Sequence, residues 1–207
     1  ERFRNPVLRI FHTELEAVYE EKNRTLDSDS RQVFETLFSN LFKKHNYGLQ
    51  TTIGRVEDLK NPSLLEIRKY FNTYYVPNNM GIILSGDFNP DQAIAQIDKL
   101  FSYMKNKPVP KYTFKPEEAI SQPIIKEIVG PDAENLTIGY RLPGNKDKDV
   151  LLADLVGSIL TNGKAGLLDL NLVKKQKLLN AGAFTYTLID YGILYLNASH
   201  PARVWKR

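Results

Sequence analysis

The stretch 183–198, AFTYTLIDYGILYLNA, decides the fold because it predicts two strands that pair with each other. Residues 183–189 and 192–198 are rich in the aromatic and β-branched residues that are typical of strands. Asp190-Tyr191-Gly192 supplies the turn between them. The sequence therefore predicts an antiparallel hairpin near the C-terminal end of the chain.

Two further strands and two helices are predicted upstream of this hairpin. A turn with the sequence GPDAEN joins the two strands, because glycine, proline and aspartate favour a reversal of the chain. The predicted strands are 124–129 and 136–142, and the predicted helices are 147–160 and 166–177.

The first half of the chain has a different order of elements. Helical periodicity, caps and prolines predict four helices, at about 6–26, from the N-cap Ser30 to 44, 62–74 and 90–104, and one apolar strand at 80–86. A single strand cannot make a sheet, so this segment must pair with strands from elsewhere. Residues 105–123 contain four prolines and no periodicity, which predicts an extended linker.

The composition is that of a globular protein, with 42% hydrophobic and 25% charged residues. The 207 residues contain no cysteine, which excludes disulfides, thiolate zinc sites and cysteine nucleophiles and leaves the redox compartment open. A net charge of +4, with basic residues scattered along the chain, argues against nucleic-acid binding. No apolar run approaches the roughly 18–20 residues of a membrane span, and the first residues do not resemble a signal peptide.

Residues 14–21, ELEAVYEE, lie in the first predicted helix and include four acids. At about 100° per residue, the separation between Glu14 and Glu21 turns the helix by about 700°, so the two carboxylates share one face. That face also carries Leu15 and Val18, so we expect the carboxylates to point inward, where a charge requires a cation, a metal or a donor. Taken alone, the pattern still favours a solvated acidic surface over a metal or acid–base site.

The three histidines are not expected to build a metal site together. His12 and Glu16 have the i, i+4 spacing of a helical metal pair. However, His12 lies about 200° around the helix from Glu14, so a solvated histidine is favoured. His45, in a predicted loop, and His200 have no partner at ligand spacing. The chain alone is therefore not expected to assemble a three-ligand zinc site.

Residues 157–164, GSILTNGK, come close to the pattern of a phosphate-binding loop. The glycines are one residue too far apart, Ala165 stands where a serine or threonine would meet magnesium, and a helix leads into the segment. We therefore reject a phosphate site there.

Four runs of sequence, covering most of the chain in order, carry a family resemblance. They are FHTELEAVYEEKNRTLD (11–27), YGLQTTIGRVEDL (47–59), IRKYFNTYYVPNNMGIILSGDFNPDQAIAQIDKLF (67–101) and LLNAGAFTYTLIDYGILYLNAS (178–199). They resemble the pitrilysin/insulinase family of zinc metallopeptidases, and more narrowly its bacterial two-domain members. The segment YVPNN followed by Gly86-Asp87 is fairly specific.

The resemblance implies roles for the two carboxylates. In that family an inverted HxxEH helix supplies two histidine ligands and a general-base glutamate, and a downstream glutamate completes the zinc site. The downstream motif maps onto Glu14 and Glu21, which implies that Glu21 binds zinc and that Glu14 is a supporting catalytic residue. No HxxEH occurs in the chain. The other ligands and the base are therefore expected upstream of Glu1, and the chain alone is expected to be inactive and to bind Zn²⁺ weakly at most.

The resemblance also implies an α+β fold of two-layer α/β half-domains taken from a clamshell. Residues 1–107 would be the C-terminal half of the catalytic-type domain, 108–122 the linker, and 123–207 the N-terminal half of a second, non-catalytic domain. The predicted helix 147–160 falls where the motif helix of that second domain would lie. It contains no histidine, which agrees with an inactive domain.

The implied function is hydrolysis of extended peptides by a zinc-activated water in a longer parent protein. Two alternatives stay open, namely a catalytically inactive family member that acts as an assembly or processing partner, and an autonomous interaction module. Exposed sheet edges also favour self-association. For a bacterial parent the resemblance favours the periplasm over the cytoplasm, while the residues themselves leave the compartment open.

Overall fold

A computed structural model describes residues 2–200, which form seven α-helices, three strands, a 3₁₀ turn at Pro77–Asn79 and a π-helical turn at Asp169–Val173. The helices are α1 (Phe11–Leu26), α2 (Asp29–Leu41), α3 (Asn46–Leu49), α4 (Val56–Lys60), α5 (Leu64–Tyr74), α6 (Pro90–Phe101) and α7 (Lys148–Leu160). The strands are β1 (Asn135–Pro143), β2 (Asn180–Thr187) and β3 (Tyr191–Ser199). Within this part of the chain, no helix combines the length and apolar character that crossing a bilayer requires.

The three strands form one antiparallel sheet in the order β1-β3-β2. The hairpin β2–β3 is the one predicted from 183–198, and β1 joins the free side of β3. Tyr195 of β3 stands between Gly139 of β1 and Phe184 of β2, which fixes the register across the sheet. The mixed architecture of helices and one small sheet confirms the predicted α+β class.

Contacts divide the chain into two compact units. Unit 1 consists of Glu1–Lys22 and Ile53–Phe114, and unit 2 of Asn23–Thr52 and Lys115–Arg207. Residues 23–52 thus pack with the C-terminal segment, although the sequence groups them with the first half of the chain. The assignment of 1–107, 108–122 and 123–207 to parts of a parent peptidase stays a prediction.

Helix α2 covers one face of the sheet in unit 2. Phe38, Leu41 and Phe42 are buried together with Ile193 of β3. The rings of Phe34 and Phe38 are stacked at 4.2 Å between centroids, and both meet Tyr186 of β2 edge-on. The predicted apolar period of this helix therefore builds the core cluster of the unit.

Helix α7 lies against the opposite face of the same sheet. Its side toward β2 carries Val150, Ala153 and Gly157, which are buried. A Cβ at Gly157 would lie 3.1 Å from the carbonyl oxygen of Ala183, so glycine permits this close approach. The hydroxyl of Thr185 donates to the Asp154 carboxylate on the flank of the helix.

Two predicted strands are not formed. Residues 80–86 and 124–129 carry apolar side chains but belong to no sheet in the described chain. Ile83 is 94% exposed and Ile125 is 87% exposed, so neither segment is packed against another part of the described chain. A strand requires a partner for its backbone groups, and periodicity alone cannot supply one.

The helix boundaries also differ from the predictions at several points. Helix α1 begins at Phe11 rather than near residue 6, and α2 is capped by Ser28 rather than Ser30. Helix α5 is capped by Ser63. The predicted helix 166–177 is reduced to a short turn of π-helix, Asp169–Val173, whose carboxylate engages the preceding loop.

We predict that Gly48→Ala destabilises unit 2 by about 1–3 kcal/mol, which is the usual cost of overpacking. A Cβ at this position would lie 2.0 Å from the carbonyl oxygen of Phe42, which is a backbone atom that cannot rotate away. Gly81→Ala is the matched control, since nothing lies within 4 Å of its Cβ position. Chemical denaturation of both variants tests this, and equal stabilities would contradict the close packing at Gly48.

Candidate functional site

Glu14 and Glu21 lie on helix α1, as the sequence predicts. Both are exposed, so the expectation that they point into an interior is not met by the described residues. Their separation along an unbroken helix places the two carboxylates on one face, about 10 Å apart along the axis at about 1.5 Å per residue. The arrangement leaves both carboxylates accessible to a ligand from outside this chain.

The described part of the chain does not complete a metal centre. Among residues 2–200, no three histidine, cysteine, aspartate or glutamate side chains come together in a way that could hold a metal ion. A zinc site normally takes three protein ligands and a water, or four protein ligands. Glu21 and Glu14 therefore fit at most as contributors to a site whose other ligands come from elsewhere.

A shallow cleft of about 320 Å³ lies between α1 and α4, and neither Glu14 nor Glu21 lines it. Its lining includes His12, Glu16 and Glu20 on one side of α1 and Lys60 on α4. His12 is exposed, as predicted for a solvated histidine. His12 and Glu16 thus lie at the i, i+4 spacing of a metal pair, but no third ligand lies with them among the described residues.

His45 differs most from its predicted surroundings. It is 1% exposed, and it caps α3 because its Nδ1 accepts the backbone N–H of Tyr47 at 3.1 Å. Its Nε2 lies 3.3 Å from a carboxylate oxygen of Asp190 in the hairpin turn. The hydroxyl of Tyr47 in turn accepts the backbone N–H of Asp190. His45 therefore joins the α2–α3 connection to the hairpin and has a structural role.

Glu117, in the predicted linker, forms a second buried polar cluster in unit 2. Its carboxylate accepts the backbone N–H groups of Lys44 at 2.6 Å and His45 at 2.8 Å, and it lies 3.8 Å from the guanidinium of Arg141. Its own N–H donates to the hydroxyl of Tyr191. The side chain of Glu117 is 3% exposed. The linker is therefore fixed to the helix connection and to the sheet at this residue.

The charge of Glu117 is stabilised by its neighbours. Burial raises the pKa of this carboxyl, but hydrogen bonds from the backbone of Lys44, His45 and Lys43 and the charge of Arg141 outweigh burial and hold the pKa below its usual value. Sequence reasoning missed this residue because its partners are distant in sequence. The only signal was an acidic pair in an otherwise basic, proline-rich segment.

Asp169 explains why the GSILTNGK segment is not a phosphate site. Its carboxylate accepts the backbone N–H groups of Asn162 and Gly163 at 2.9 Å and of Gly166 at 3.1 Å. The Asn162 bond is the largest of the effects that lower the pKa of Asp169, and Lys174 adds to them. The N–H groups that would hold an external anion are occupied by the chain's own carboxylate.

Residues 63–203 match the family model described as the Peptidase M16 inactive domain. The chain belongs to the M16 peptidase family. The match begins at the N-cap of α5 and runs through the hairpin, so it covers more than half of the chain. The predicted family resemblance is therefore confirmed.

Similarity to individual proteins agrees with this family. Over 183 residues the chain is 29% identical to the zinc protease PqqE of Helicobacter pylori, a match that covers 86% of this chain and 41% of that protein. The crystal structure of a protease from Helicobacter pylori is 27% identical, with a TM-score of 0.72, over 97% of this chain and 50% of that one. The crystal structure of pitrilysin shares the fold, with a TM-score of 0.64 at 18% identity, over 93% of this chain and 22% of that one. The chain thus spans half or less of the length of these relatives.

We predict that Glu117→Gln lowers the stability of unit 2 by about 1–2 kcal/mol at pH 7, because an amide is a weaker acceptor for the N–H groups and does not balance Arg141. The pKa of Glu117 is depressed from 4.5 in the fold. Its stabilising contribution is therefore complete above that value and is lost as the pH falls through the depressed pKa. Thermal unfolding of the wild type and the variant should show a gap that is full at pH 7 and narrows as the pH is lowered below 4.5.

Glu127→Gln is the matched control for this measurement, since Glu127 is an exposed carboxylate in the same unit. Its unfolding curve should follow the wild type throughout the pH range. A gap between wild type and Glu117→Gln that does not narrow as the pH is lowered from 7 through the acid range would contradict a role for the ionised carboxylate.

Proposed function

We propose that this chain is part of a zinc-dependent M16 endopeptidase and that it contributes one carboxylate ligand, Glu21, to the metal. The observation that carries the proposal is the pair Glu14 and Glu21, exposed on one face of α1 in a chain that belongs to this family. The 29% sequence identity to a zinc protease supports this proposal. The remaining ligands are proposed to lie on a part of the parent protein outside these 207 residues.

The two carboxylates are proposed to have different roles. Glu21 is the ligand, and Glu14, two turns away on the same face, positions the site through its charge and hydrogen bonds. Extended peptides are the proposed substrates, because a strand added to an open sheet edge makes backbone hydrogen bonds without regard to side-chain identity. The chain alone is proposed to be inactive, since its described residues hold no complete metal centre.

A second function is favoured by a specific observation. The matching family model describes an inactive domain, and the described residues bring no metal-holding group together. These two findings also suit a family member without catalysis that acts as an assembly or processing partner. The two functions differ in whether the longer protein contains zinc.

We predict that Glu21→Gln in the longer parent protein lowers both bound zinc and peptidase activity at least about 100-fold, because a neutral amide replaces an anionic ligand. Glu14→Gln should lower activity by roughly 10–100-fold with a smaller loss of zinc. Zinc is measured by atomic spectrometry, and activity is measured with a quenched fluorescent peptide.

Glu16→Gln is the matched control, because Glu16 is an exposed glutamate on the same helix about 140° around from Glu21. It should retain zinc and activity. Unchanged zinc and activity in Glu21→Gln would refute the ligand assignment. A wild-type parent that purifies without zinc and cleaves nothing, even after zinc is added, would favour the assembly or processing function instead.

A further inference from the structure

The loop that follows α7 contains Asn162-Gly163, the one place in the sequence where asparagine precedes glycine. Asparagine is a thermolabile residue. It is most labile before glycine, because glycine has no Cβ to hinder attack by its backbone nitrogen on the preceding side chain. The product is aspartate or isoaspartate, so this pair is a candidate site of covalent modification.

Deamidation at this pair uses the backbone nitrogen of Gly163 as the nucleophile. Once that nitrogen has lost its proton, it bonds to Cγ of Asn162, the bond from Cγ to Nδ2 breaks, and ammonia leaves with a proton. Water then opens the cyclic imide at either carbonyl carbon, which gives aspartate or isoaspartate. The rate therefore depends on how readily the Gly163 N–H loses its proton.

The side chain of Asn162 is held in a way that favours this attack. Its Oδ1 accepts the backbone N–H groups of Lys164 at 3.1 Å and Ala165 at 2.9 Å. Donors aimed at a carbonyl oxygen stabilise the negative charge that develops there when a nucleophile attacks. The contacts of the side chain alone therefore do not protect Asn162.

The nucleophile, in contrast, is held by Asp169. Oδ2 of its carboxylate accepts the Gly163 N–H at 2.9 Å, together with the N–H groups of Asn162 and Gly166. An anion at this distance opposes loss of the proton, because deprotonation would leave two negative charges side by side. The same hydrogen bonds, led by that from Asn162, lower the pKa of Asp169, so its carboxylate is a weak base for removing the proton.

The loop cannot avoid the labile pair by replacing its glycine. Gly163 has a φ of +75°, in the left-handed region that residues with a side chain rarely adopt. This conformation belongs to the turn in which the N–H groups of Asn162 and Gly163 both meet Asp169. The glycine that the turn requires is thus also the residue that makes Asn162 labile.

We propose that Asp169 protects Asn162-Gly163 from deamidation by holding the backbone N–H of Gly163. The contacts that carry the proposal all lie within residues 162–169, and they do not involve the zinc assignment. When the carboxylate is removed, the N–H is released while Oδ1 of Asn162 keeps its donors. Asn162 then becomes the site at which water and the loss of ammonia convert the loop.

We predict that Asn162 deamidates at least about tenfold more slowly in the folded parent protein than in the same protein denatured in guanidinium chloride. Two unit charges 2.9 Å apart repel each other enough for a factor of about ten even in water. Asp169→Asn should raise the rate in the folded parent about tenfold, because an amide can still accept an N–H group but carries no charge.

Peptide mapping by mass spectrometry measures these rates at one position. Trypsin cleavage after Lys148 and Lys164 releases residues 149–164, in which Asn162 is the sole asparagine. Asp169 lies outside this peptide, so the wild type and Asp169→Asn are compared on the same peptide. Circular dichroism of each protein verifies that the fold is retained.

Thr161→Val is the matched control, because it loosens the same loop and keeps the carboxylate. The hydroxyl of Thr161 accepts the N–H of Ala183 at 2.9 Å, which ties the start of the loop to β2. This variant should raise the deamidation rate less than Asp169→Asn does. Hydrogen–deuterium exchange provides a second measurement, since base-catalysed exchange of the Gly163 N–H also passes through the amide anion. Exchange in the segment 162–166 should be faster in Asp169→Asn than in the wild type.

Three results would overturn the proposal. The first is equal deamidation of Asn162 in the folded and the denatured wild-type parent. The second is an unchanged rate of deamidation or of hydrogen exchange in Asp169→Asn. The third is an equal increase in Thr161→Val and Asp169→Asn, which would assign the protection to the rigidity of the loop instead of the carboxylate.

Discussion

Strand β3 is paired on both of its sides, and the structure of unit 2 depends on that pairing. Its neighbours β1 and β2 are separated in sequence by a helix and a loop, yet β1 aligns against all nine residues of β3 and β2 against eight of the same nine. Because successive side chains alternate between faces, this register presents Ile193 and Tyr195 to α2 and leaves the other face to α7. A slip of one residue would exchange the two faces and remove Ile193 from the core.

Sequence reasoning succeeded where the information is local. The hairpin, the start of α6 at Pro90, and the apolar face of α2 were all predicted, because each depends on residues within a few positions of one another. The strands 80–86 and 124–129 were predicted on the same kind of evidence and did not form. Apolar character shows that a segment requires a neighbour, but it does not show whether the chain supplies one.

The same difference applies to the candidate site: features set by nearby residues could be predicted, and contacts between residues distant in sequence could not. The spacing of Glu14 and Glu21 placed both on one helical face, and their assignment to a metal rested on family resemblance rather than on geometry. The buried polar clusters around His45 and Glu117 could not be predicted, because they join residues more than 70 positions apart. The polar groups of both clusters make their contacts within unit 2, so their role is structural. The candidate metal-binding and catalytic residues are therefore those on α1.

The loop held by Asp169 also bears on how phosphate-binding loops are recognised. Three backbone N–H groups converge on one point, as they do around a bound phosphate, but the anion is part of the chain and is delivered by the following turn. A free phosphate would have to displace the Asp169 carboxylate, which is covalently part of the chain and always close to these N–H groups. The negative charge of that carboxylate would also repel the phosphate. The N–H groups of this loop are therefore satisfied within the chain, by a carboxylate that lies six residues after Gly163 in the sequence.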